Sequence, residues 1–230
     1  MLFRSVRAHG AAKQHGLKLI IGTEIQIDDG PKLVLLATNR ESYGHIAALI
    51  TRARMRSDKG SYKVTLDDLE RNLDHCLVLM IPTNALFRLH DTGLDAPFSL
   101  ETSPHPTPFL PQEEAGKILW HATLGHAHLL ARRFPQRAWI AVELHKGAND
   151  AAHLDALREL SAYSALPLVA AGDVHMPVSS RKALQDTLTA IRLNTTIAAA
   201  GHALQPNAER HLRTRLRLSR LYPANWLAET

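Results

Sequence analysis

The chain has 230 residues, with 27 Lys+Arg against 22 Asp+Glu and a formal charge of +5 at pH 7 with His neutral. Hydrophobic residues make up 45% and charged residues 21%, the composition of a globular protein. A single Cys excludes a disulfide framework and any multi-Cys zinc or iron–sulfur site, and no apolar run approaches the roughly 20 residues that cross a bilayer.

The first ten residues carry Arg4, Arg7 and His9 with no apolar core behind them, so they do not read as a signal peptide. The expected compartment is the cytoplasm, with no membrane partner. Leu17–Ile21, flanked by Gly16 and Gly22, predicts a buried strand running on to about Glu24. Asp28-Asp29-Gly30-Pro31 is a turn, and Lys32–Ala37 a second strand with aliphatics from Leu33 to Leu36. Ser42 is placed to cap a helix with Ile46, Leu49 and Ile50 at helical spacing. Thr65, Asp67 and Asp68 announce another helix, carrying Leu66, Leu69 and Leu73.

Leu77–Ile81 predicts a third strand, stopped by Pro82. Residues 84–111 hold Pro97, Pro104, Pro106, Pro108 and Pro111, and read as a long loop. A helix over Glu113–Arg133, weakened at Gly125, leads to a strand at Ala138–Leu144. Asn149 caps a helix to Ser164, and Pro167–Ala171 is a fifth strand. Ser179 or Ser180 caps a helix to about Leu193. The strands are apolar on both faces and alternate with helices in the second half. That predicts a parallel sheet covered on both sides, as an α/β barrel or a doubly wound sheet. The tail carries Arg210, Arg213, Arg215, Arg217 and Arg220 among Leu212, Leu216, Leu218 and Leu221. It reads as a solvated amphipathic helix packed on the domain, ahead of a nucleic-acid contact, since no aromatic interleaves the arginines before Tyr222.

Fourteen His invite a metal reading, and position decides which of them matter. Glu24, then Glu143 with His145, then Asp173 with His175 fall at the C-terminal ends of expected strands. That edge carries the active site in parallel α/β folds. Carboxylate and imidazole together make a mixed N/O ligand set suited to Zn²⁺, Mn²⁺ or Fe²⁺. Asp173-Val174-His175 is the most specific of these, because two polar residues close a fully apolar strand. His121, His126 and His128 lie on a helix without a matching carboxylate, and Cys76 reads as a buried inert thiol. No Walker A loop, GxSxG elbow or GxGxxG fingerprint is present.

Several segments in order, "GLKLIIGTE", "LVLLATNRESYGHIAALITRAR", "GSYKVTLDDLE", "WIAVELHKG", "LPLVAAGDVHMPVSSRKALQDTLTAIRLNTTI" and "PNAERHLRTRLRLSRLYP", carry a likeness. They resemble the polymerase-and-histidinol-phosphatase (PHP) domain of bacterial C-family DNA polymerases, in its error-prone, damage-inducible branch. The resemblance covers nearly the whole chain outside the Pro-rich stretch. It implies an α/β fold: an incomplete, distorted (β/α) barrel over residues 1–200, with a basic helical connector over 201–230 leading toward a polymerase core. It carries metal positions onto Glu24, His145, Asp173 and His175, a degraded site implying one divalent ion (Zn²⁺, Mn²⁺ or Mg²⁺).

The family's opening His-x-His strand has no counterpart, Lys32 stands where metal-binding members carry His, and Thr83 falls near a ligating Cys. The palm carboxylates that hold Mg²⁺ for nucleotidyl transfer are not in this sequence. The resemblance therefore implies a fragment truncated at both ends, with no catalytic residue of its own. Its expected partners are the rest of the polymerase, DNA through the full-length protein, and other repair proteins. Lys32, near the cleft, implies partial replacement of a metal's charge. A stand-alone metal-dependent phosphoesterase or 3′–5′ exonuclease is the second reading, and a non-catalytic interaction module the third.

Overall fold

A computed structural model describes residues 2–71, 73–83 and 112–230. The Pro-rich stretch 84–111 read as a loop lies outside the described residues. The chain divides into two compact units, Met1–Ile140 with Glu159–Pro167, and Ala141–Arg158 with Leu168–Thr230.

The fold is α/β with a five-stranded sheet hydrogen-bonded in the order β1-β2-β3-β4-β5. The strands are β1 (Ile21–Gln26), β2 (Lys32–Ala37), β3 (Cys76–Ile81), β4 (Ala138–Glu143) and β5 (Leu168–Ala171). The expected all-parallel sheet is corrected: β1 and β2 pair antiparallel, β2 and β3 antiparallel, β3 and β4 parallel. The reason for the first pairing is the short turn, because only antiparallel strands can be joined so tightly. There the Gly30 amide donates to Ile27 O (3.1 Å) and the Ile27 amide to Pro31 O (3.2 Å). Gly30 suits this turn because a Cβ on it would sit 2.7 Å from the Ile27 side chain. Pairing in this region also leaves one face wet. Thr23 and Ile25 of β1 are buried while Gly22, Glu24 and Gln26 are exposed.

β1 begins later than the apolar run suggests, and Leu17–Ile20 are exposed. Register explains this: Ile21 pairs with Ala37, the last residue of β2, so nothing stands opposite the preceding residues. Helix α1 (Leu2–Gln14) has no counterpart in the sequence reading. Among its described side chains only Ala12 is buried, so no apolar stripe marks it. Helix α2 (Arg40–Met55) is capped by Asn39, not by Ser42. Asn39 Oδ1 accepts from the Ser42 amide (2.8 Å), and Ser42 Oγ accepts from the Asn39 amide (3.0 Å), a reciprocal capping box.

Thr65 opens α3 (Leu66–Leu69), which is a single turn rather than the longer helix expected. Its Asp68 takes a bidentate grip from Arg56, at 2.8 and 3.0 Å. Helix α4 (Gln112–Arg133) runs straight through Gly125. The core of the first unit gathers Leu33, Leu35, Leu49, Leu69, Met80, Leu130, Phe134 and Ile140, all fully buried.

In the second unit, α5 (Asp150–Ser164, continuing into the first) follows β4, as the Asn149 signal predicts. A 3₁₀ turn at Ser179–Arg181 leads into α6 (Lys182–Arg192), followed by α7 (Ile197–Ala200). The expected long basic helix is replaced by a non-helical stretch and two short helices, α8 (Arg215–Leu221) and α9 (Ala224–Ala228). The cause is a long-range bridge between Met176 and His211, which holds the stretch out of a helix. Tyr222 and Trp226 are buried, as are this unit's Val142, Leu157 and Val169.

Candidate functional site

In the second unit, the two sequence-predicted clusters follow the ends of β4 and β5. Lys146 and Asp173 both take left-handed backbone, with φ of 55° and 39°. Neither is Gly, and such conformations cost free energy that surrounding contacts must offset. His145 Nε2 donates to Gly172 O at 3.0 Å, which fixes that nitrogen as the protonated one. Burial lowers the His145 pKa against a raising effect of that bond, and Arg210 and Arg213 lower it further. Asn207 Nδ2 donates to His145 O at 2.7 Å.

Asp173 is the most heavily engaged of the predicted residues. One carboxylate oxygen receives His175 Nε2 at 3.0 Å, and the other is paired with the Arg210 guanidinium. His175 Nδ1 in turn faces Gln185 Nε2 at 3.2 Å, so the amide donates there and Nε2 carries the ring proton. Backbone bonds hold this group in place. Arg210 O accepts from the His175 and Met176 amides, and Met176 O accepts from the Leu212 amide.

The remaining basic residues divide. Arg213, with its side chain 3% exposed, donates from Nη2 to Leu144 O (2.7 Å) and Glu209 O (3.1 Å). Arg217 Nη2 donates to Glu209 Oε2 at 2.7 Å, and Lys146 Nζ lies 3.2 Å from Glu209 Oε1. Burial alone would raise the Glu209 pKa, but Lys146, Arg217 and Arg213 bring it below the ordinary carboxylate value. Arg215 and Arg220 are exposed on α8. Tyr222 closes the strand ends: its hydroxyl accepts from the Leu144 amide (3.2 Å) and donates to Ala171 O (2.9 Å).

In the first unit, Glu24 and Lys32 are diagonal neighbours across the β1–β2 ladder, since Glu24 faces Val34 and Lys32 faces Gln26. Lys32 Nζ reaches Glu24 Oε1 at 2.7 Å. A surface depression of about 530 Å³ in the same unit is lined by Met55, Arg56, Ser57, Asp58 and Ser61, none of them a predicted site residue. Cys76 is fully buried, and burial raises its thiol pKa, as an inert thiol requires.

Within the second unit, His145, Asp173 and His175 come together around Arg210 and Gly172. As arranged, Asp173 and His175 do not present a donor pair to a divalent ion: the one lone pair of the His175 ring faces the Gln185 amide, its Nε2 carries a proton, and the Arg210 cation occupies the Asp173 carboxylate. Among the described residues, no group of three or more His, Cys, Asp or Glu is placed to hold a metal. Sequence reasoning missed Arg210 as the partner of Asp173, and missed Asn207, Glu209 and Tyr222 altogether. The only local signal was the dense polar run from Asn207 to Arg217.

The fold and this site define an α/β protein in which the carboxylate that follows β5, Asp173, is neutralised by the chain's own Arg210. Comparison with known proteins narrows the class. The chain is 47% identical, over 98% of its length, to the error-prone DNA polymerase of Dechloromonas aromatica (strain RCB). It is 45% identical over 94% to that of Azoarcus sp. (strain BH72), and 42% over 98% to that of Pseudomonas aeruginosa PAO1. It is thus homologous to a segment of bacterial error-prone DNA polymerases, and spans about a fifth (18–19%) of the length of these curated relatives. No family model matches the chain. Among the described residues, no helix is long and apolar enough to cross a membrane.

Proposed function

We propose that the chain serves as the PHP-type domain of an error-prone DNA polymerase, with a scaffolding role and no polymerase activity alone. The observation that carries this reading is 47% identity over 98% of the chain to a relative of which it spans only 19%. In this reading residues 1–200 form a partial PHP-type barrel and residues 201–230 the connector toward the polymerase core. The parent enzyme works in the cytoplasm, copying past lesions during DNA repair, and its Mg²⁺-dependent chemistry lies in that core. DNA is then a partner of the whole enzyme. A scaffolding role is supported by the way Lys32 lies on Glu24 and Arg210 on Asp173. Both carboxylates onto which the resemblance carries metal positions, Glu24 and Asp173, already have a cation from the chain itself.

Primer extension tests the proposal. The purified chain with Mg²⁺ is expected to extend no primer, and template-dependent extension above buffer overturns that part. The Dechloromonas aromatica polymerase carrying this chain in place of its own matched segment is expected to extend primers. A folded hybrid that extends none overturns the domain assignment.

A further inference from the structure

Helix α6 is amphipathic in the inverted sense. Its inward side carries Lys182, Gln185, Asp186 and Thr189, with Ala190 the one fully buried residue. Lys182 and Asp186 neutralise each other at 2.6 Å, and Gln185 reaches the His175 ring. Its outward side carries Leu184, Leu188 and Ile191, which are 52%, 58% and 68% exposed. These positions, i, i+4 and i+7, form one helix face. Val178 before the helix and Leu193 after it are also exposed. A surface helix ordinarily turns its polar side to water, and a contiguous exposed apolar patch marks an interaction site.

We infer that the Leu184–Leu188–Ile191 stripe of α6 is a docking surface for the part of an error-prone polymerase polypeptide that lies outside the matched segment. This rests on the reading given under Proposed function. Two observations select that occupant. First, more than four fifths of each relative lies outside the match, and the match covers 98% of this chain, hence α6 as well. Second, the stripe is small. Five aliphatic side chains present a few hundred Å² at most, below the roughly 800 Å² per partner of a freely associating pair. A segment of the same polypeptide needs less area, because a tether keeps it at high effective concentration. The stripe itself holds no charged residue, so an apolar face of the polymerase body is the complementary chemistry.

Maleimide labelling of Leu188→Cys tests this, with Ile191→Cys as a second probe of the same stripe and Met55→Cys, 82% exposed, as the control. The native Cys76 is buried and stays silent. Labelling rates are read by peptide mass spectrometry in the 230-residue chain and in the hybrid polymerase described above. Both α6 probes are expected to label at least about tenfold more slowly in the hybrid than in the chain, while Met55→Cys labels equally fast in both. Equal rates at both probes overturn the inference. So does protection in the chain alone that rises with concentration alongside a doubled mass by light scattering, which makes a second copy the occupant. Primer extension by the same hybrid separates the two readings. Protection without extension supports the stripe and counts against the domain assignment, and extension without protection counts against the stripe alone.

Discussion

Arg210→Ala is the most informative single change in the second unit. It removes the cation from Asp173 but leaves the Arg210 carbonyl, which still accepts from the His175 and Met176 amides. The Asp173 and Arg210 side chains are 15% and 18% exposed. Exposed ion pairs contribute about 0–1 kcal/mol, whereas breaking a buried one costs about 3–5 kcal/mol. A pair this far from solvent but not sealed falls between, at about 2 kcal/mol. For a chain of this size that corresponds to a Tm lower by about 4–8 °C. The loss comes mainly from a carboxylate stranded with only His175 beside it. Asp173→Asn in the same chain therefore recovers a large part of it. The assay is thermal unfolding by circular dichroism of the parent, both single variants and the double variant. Arg210→Ala melting within about 1 °C of the parent would refute the reasoning. Strict additivity in the double variant would do the same.

Burial holds the His153 ring at a pKa of about 4, below its ordinary 6.5. A depressed value means that the unfolded chain takes up the proton first. The His153 contribution is therefore complete above pH 6.5 and lost as pH falls toward 4, by about 3 kcal/mol in all. A ring titration by NMR with its midpoint near 6.5 would contradict this. Tyr222→Phe removes the bonds to Leu144 and Ala171, and is expected to cost about 1–2 kcal/mol in urea unfolding with an unchanged m-value. Lys32→Ala, at a pair whose side chains are 36% and 48% exposed, is expected to change stability by less than about 1 kcal/mol, and less still at high salt.

What was legible in the sequence was local. β2 has the bounds that its aliphatic run predicts, and β3, β4 and β5 fall within a residue of theirs, because each run is closed by turn or polar residues. The start of α5 after Asn149 was legible for the same reason. What was hidden depended on pairing across the chain. The exposure of Leu17–Ile20 follows from where β2 ends, which no property of those residues reveals. The basic tail shows helical spacing of leucines, yet no helix forms before Arg215: residues 206–210 bend and His211 bridges to Met176, 35 positions away. The site divides in the same way. Asp173 and His175 were recognisable as polar residues closing an apolar strand. Arg210 could not be assigned to Asp173 from spacing, because the bridge that brings them together is the long-range one.

Lys32 and Arg210 do the same thing to different extents, and exposure sets the difference. Each places a cation of the chain on a carboxylate that the resemblance marks as a metal ligand. Glu24 is about half exposed, so water already screens it, and Lys32 adds little beyond a cross-strand contact. Asp173 is largely removed from water and sits on left-handed backbone, so its charge must be met locally for the turn to hold. A free metal would neutralise Asp173 only when bound, whereas the guanidinium does so whenever the chain is folded. The same pair also ties residue 173 to the non-helical stretch that leads into α8 and α9. Neutralising the carboxylate and anchoring the tail are thus one interaction in this unit. On this argument Arg210→Ala loosens the tail as well as lowering Tm, while Lys32→Ala leaves the β1–β2 hairpin in place. Hydrogen exchange at residues 207–214 distinguishes the two: protection there falls in Arg210→Ala and is unchanged in Lys32→Ala.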